Sequence, residues 1–73
     1  MINDKVKIVK DIAGTKPNAV NKRGIIKDII VDNGININVV EAYDYIEGFG
    51  NEELDIKSGH GCVCLDDELI LIR

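Results

Sequence analysis

Lysine and apolar residues alternate through residues 5–10 (KVKIVK), which puts Val6 and Ile8 on one face of an extended segment and lysines on the other. That period of two predicts a first strand with one wet face. Residues 11–22 (DIAGTKPNAVNK) then collect Gly14, Pro17 and two asparagines. This is loop chemistry, too long for a hairpin turn, with Ile12 and Val20 expected to anchor the loop on the body of the protein.

Residues 23–31 (RGIIKDIIV) are apolar without strict alternation, because either face would carry a charge, Lys27 or Asp28. One extra residue near Lys27 resolves the conflict: a β-bulge there turns both Ile26 and Ile29 inward and bends the strand. Asp32-Asn33-Gly34 follows, and Asn-Gly between β-rich runs predicts a hairpin into a third strand. Residues 35–45 (ININVVEAYDY) alternate apolar and Asn until Val39–Val40, where the phase changes and leaves the inward valine open.

From residue 44 to residue 61 the chain carries four glycines (Gly48, Gly50, Gly59, Gly61) and five acids, which reads as an extended excursion. CVCL (residues 62–65) is the expected fourth strand, DDE (66–68) a tight, solvated turn, and LILI (69–72) a short closing strand. The sum is an all-β chain: a small five-stranded SH3-like barrel, one domain over residues 1–73, with a long first loop and a Gly/acid-rich excursion before strand four. A chain of 73 residues builds one core and buries only about 60% of its unfolded surface.

The residues DKVKIV (4–9), GIIKDI (24–29) and CVCLDDELILI (62–72) follow one another as first strand, Gly-x-apolar second strand, and penultimate strand with one-turn link and closing strand. In this order the chain resembles the small SH3-like domains of the KOW and Tudor type, found as stand-alone proteins in bacteria and phages. The resemblance implies a non-enzymatic, protein-binding or regulatory module, or a nucleic-acid-binding KOW-like adaptor. A Tudor-type aromatic cage is not expected, since Tyr43, Tyr45 and Phe49 are the only rings of that kind.

Charge is uneven along the chain. Residues 1–30 hold seven Lys/Arg against three Asp, whereas residues 31–73 hold two against ten Asp/Glu. Two candidate surfaces follow. Tyr43, Tyr45 and Phe49, interleaved with Glu47 and Glu52, would dock another protein, rings supplying area and carboxylates steering a basic partner. Lys16, Lys22, Arg23 and Lys27, in or just after the long loop, would meet phosphates, although the net charge of −4 argues against a nucleic-acid binder.

His60, Cys62 and Cys64 alternate, so on a strand they share a face at about 6.7 Å intervals. A Cys62–Cys64 disulfide needs Cβ atoms about 3.8 Å apart and is not expected. The three are weak metal candidates, since a closed zinc site needs four ligands. The cysteines are read as core, His60 as a loop residue, and no cofactor is expected. No nucleophile, base and orienting group stand together, so no enzyme is expected. No run approaches the about 20 apolar residues of a membrane span and residues 1–10 lack a signal-peptide pattern, which predicts a cytoplasmic protein with reduced thiols. Apolar pairs at Ile25–Ile26, Ile29–Ile30 and Val39–Val40 leave room for homo-oligomerisation.

Overall fold

The computed structural model describes residues 1–72 and is all-β. Its strands are β1 (Lys5–Ile8), β2 (Arg23–Asp32), β3 (Ile35–Ala42), β4 (Phe49–Asn51), β5 (Ile56–Leu65) and β6 (Leu69–Leu71). Single 3₁₀ turns occupy Pro17–Ala19 in the long loop and Asp66–Glu68 before β6. The strands form one antiparallel sheet in the order β4-β5-β3-β2-β1-β6. No described helix is long and apolar enough to cross a membrane.

Two features differ from the expected five-stranded barrel. The excursion contributes an additional strand, β4, and its second half is the beginning of β5, so the penultimate strand starts at Ile56 rather than Cys62. The sheet is also not closed, because β4 pairs only with β5 and β6 only with β1.

The β2–β3 hairpin follows the sequence closely. Asn33 and Gly34 both have positive φ, 51° and 77°, the geometry of the two-residue turn that matches strand twist. The pairing runs Ile26↔Val40 and then Asp28↔Val39, skipping Lys27, which is the predicted bulge. Ile26 is buried and Ile29 packs against the core, as the bulge requires, and Val39 and Val40 are both buried. Of the paired apolar positions, only Ile30 is exposed.

The core unites Val6, Ile8, Ala19, Ile26, Val40, Ala42, Ile46, Cys62 and Cys64. Both cysteines therefore lie where the sequence put them. The loop's anchors are different from those expected: Ile12 is exposed and Val20 half-buried, while Ala19 is fully buried. His60 lies within β5 rather than in a loop. Glu68, expected on a solvated turn, is 2% exposed.

Candidate functional site

The long loop is held to the rest of the protein by charge. Asp11 accepts hydrogen bonds from the backbone N–H groups of Thr15 (3.1 Å) and Lys16 (3.0 Å), folding residues 11–16 into a compact turn. The turn directs Lys16 inward, where its ammonium lies 2.8 Å from Glu68 Oε2 and 3.5 Å from Asp11 Oδ1. Glu68 also accepts from the backbone N–H groups of Ile12 (2.7 Å) and Leu65 (2.8 Å). One carboxylate thus joins the long loop, the end of β5 and the turn before β6.

The protonation states follow from these contacts. Burial favours a neutral Glu68, but the Lys16 ammonium and the two N–H donors outweigh it and hold its carboxyl below the usual range. Asp11 is lowered likewise against its desolvation, by Lys16 and the Thr15 N–H. Burial opposes the Lys16 charge, yet Glu68 and its neighbours raise its affinity for the proton. All three groups are ionised at neutral pH, and Lys16 is occupied within the protein.

Lys16 separates two open clefts along β5. The larger, about 340 Å³, lies between Thr15 and Lys16 on one side and Ile46, Glu47, Gly48 and Phe49 on the other, with residues 61–63 between them. The smaller, about 220 Å³, is lined by Ala13, Lys16, Ile37, Val63, Cys64 and Leu65. Phe49 is held in place by a glycine: a Cβ on Gly61 would come within 2.7 Å of the Phe49 ring. The bare backbone of Gly61 is the surface on which that ring rests.

The proposed aromatic surface is divided. Phe49 and Glu47 face the larger cleft, but Tyr43 lies at a separate hollow with Asn21, Lys22, Arg23 and Asp44. Tyr45 covers Gly59 and meets the His60 ring edge-on, with centroids 6.0 Å apart at 82°. Glu52 is exposed in the turn between β4 and β5, whose start is fixed by Asn51 Oδ1 accepting from Leu54 N–H (3.1 Å). Only Phe49 and Glu47 of the five share a site.

The basic group is largely neutralised. Lys16 is buried, Lys22 lies 3.2 Å from Asp44, and Lys27 lies 3.6 Å from Glu41. Arg23 is exposed and has no carboxylate partner among the described residues. The four cations expected to make one phosphate surface instead lie at separate places, three of them ion-paired and Arg23 without a carboxylate among the described residues.

Cys62 and Cys64 are buried free thiols with Sγ atoms 3.7 Å apart, each turned toward the other from alternate positions of β5. The His60 Nδ1 donates to the Ala42 carbonyl at 2.9 Å. Among the described residues no three His, Cys, Asp or Glu side chains converge as a metal site. The Asp11–Lys16–Glu68 cluster had no signature in the sequence, since Glu68 and Lys16 are 52 positions apart. Comparison with known proteins returns no matching family model, no matching curated protein and no matching solved structure.

Proposed function

We propose that the protein is a small non-enzymatic module that docks a segment of another protein in the cleft between the long loop and Phe49. The carrying observation is that cleft itself: an exposed ring seated over Gly61, facing a loop that a buried ion cluster ties to the turn before β6. A cleft whose walls are already tied in place loses less conformational entropy on binding, and an aromatic wall supplies contact area. The SH3-like reading is supported by the strand order, in which β1, β2, β3 and β5 form a meander and β6 returns to β1 after a single 3₁₀ turn.

The internal pairing of Lys16, Lys22 and Lys27 favours a protein partner over nucleic acid, because phosphates would have to displace carboxylates already in place. Affinity capture with tagged protein, with and without nuclease, tests the reading. A stoichiometric protein that survives nuclease, is lost with Phe49→Ala and is retained with Tyr43→Ala is expected. Capture of nucleic acid, or capture indifferent to Phe49, overturns it.

A further inference from the structure

The backbone of Val63 is the unfilled position on the outer edge of β5. In an antiparallel ladder, successive residues direct their N–H and C=O alternately to the two neighbouring strands. Tyr43 N–H donates to the Arg23 carbonyl, so odd-numbered residues of β3 address β2 and even-numbered ones address β5. Val40↔Cys62 and Asn38↔Cys64 are then the hydrogen-bonded pairs between β3 and β5. Odd-numbered residues of β5 face the other way.

Between Gly59 and Leu65, each of those outward positions but Val63 has a partner. The Gly59 carbonyl accepts from Ile46 and Gly48, Gly61 pairs with Phe49, and the Leu65 N–H donates to Glu68. Val63, between Gly61 and Leu65, has no partner strand on this side among the described residues, because β4 ends its pairing at Gly61. The residue is 45% exposed and lines both clefts. An unpaired strand edge in an apolar cleft is a template for an added strand.

The geometry points to strand addition at Val63: an extended peptide segment of a partner protein pairs its backbone with Val63 and runs between the long loop and Phe49. Its alternate side chains lie against Phe49 and over Val63 and Leu65. The charge of the cleft selects the segment. Lys16 is compensated by Glu68 and Asp11, leaving Glu47 as the charge on the wall without a partner among the described residues, so the segment carries a basic residue next to its apolar ones. This inference rests on the docking reading above and adds the mode and chemistry of the partner.

The test uses linear peptides selected on the protein from a random phage-displayed library, then synthesised, with ¹⁵N-labelled full-length protein. In the free protein the Val63 amide should exchange with solvent faster than those of Cys62 and Cys64; equal protection overturns the inference. On binding, the Val63 amide should become protected. One N-methyl group at the pairing residue of the peptide should weaken binding about tenfold. Enrichment of Lys or Arg beside apolar residues is expected, and Glu47→Lys should weaken the selected peptides. Peptides that need Phe49 but leave Val63 unprotected and tolerate N-methylation overturn strand addition while leaving the cleft as the docking site. Selection of no peptide, or of peptides indifferent to Phe49→Ala, overturns both.

Discussion

Lys16 and Glu68 meet at 2.8 Å with both side chains almost out of solvent, one from the long loop and the other from the turn before the last strand. Removing one member of a buried pair costs about 3–5 kcal/mol where it leaves a lone charge, and the loss of Glu68 falls toward the lower end because Asp11 stays 3.5 Å from Lys16. A domain of this length has about 4–8 kcal/mol in all. Glu68→Ala should therefore bring the protein close to its unfolding threshold, with a large fall in the urea midpoint. Lys16→Met combined with Glu68→Gln should cost less than the sum of the single changes, because the Lys16–Glu68 attraction is lost only once and Asp11 keeps its two backbone donors. Additive losses would mean that the two do not interact.

The same cluster sets the pH dependence. Glu68 and Asp11 have folded-state pKa values below the ordinary range, so their contribution is complete above that range and is lost as pH falls through the depressed values. Lys16 is raised, so its contribution is complete below the ordinary lysine value, about 10.4, and is lost as pH rises through its folded value. Urea unfolding at a series of pH values should show stability falling below about pH 4 and again above about pH 10. Glu68→Gln should flatten the acid limb, and an unchanged acid limb would assign it to other carboxylates.

Local chemistry made much of the fold legible. Val6 and Ile8 alternate with lysines and lie in the core; Asn33-Gly34 forms the hairpin; Lys27 marks the bulge; Cys62 and Cys64 pack inside. These features depend on neighbours two to four positions away. Glu68 reads as solvated because its partner comes from the other end of the chain, and Ile12 reads as an anchor because an apolar residue in a loop gives no sign that Ala19 is the one buried. The aromatic group is divided for a related reason. Tyr43, Tyr45 and Phe49 are close in sequence, but the chain turns sharply between them and places each ring against a different part of the sheet.

The thiols give a chemical prediction. At 3.7 Å the sulfurs are far from the about 2.05 Å of a disulfide, and their shared strand keeps them from closing the gap. Both should remain titratable as free thiols after mild oxidation and denaturation. In the native protein the pair should give up its first proton at Cys62. Its thiolate accepts a hydrogen bond from Cys64, and Lys16 assists against the penalty of burial. The Cys64 thiol is pushed up by that hydrogen bond and by burial. Iodoacetamide at mildly alkaline pH should label Cys62 before Cys64, read by peptide mapping; the reverse order would place the thiolate on the wrong sulfur.

Gly61 supports Phe49 in two ways that a substitution can separate. An added Cβ would lie 2.7 Å from two ring carbons of Phe49 and 2.8 Å from its carbonyl oxygen, inside ordinary contact distance. The ring can swing aside, but the carbonyl belongs to the β4–β5 pairing. Gly61→Ala should cost about 1–3 kcal/mol by overpacking and weaken any ligand of the larger cleft more than Tyr43→Ala does. Thermal unfolding of Gly61→Ala beside the double variant with Phe49→Ala divides the two causes. If the ring carries the clash, the double variant recovers most of the lost stability; if the carbonyl does, it recovers none, and β4 must separate from β5 to accommodate the methyl group.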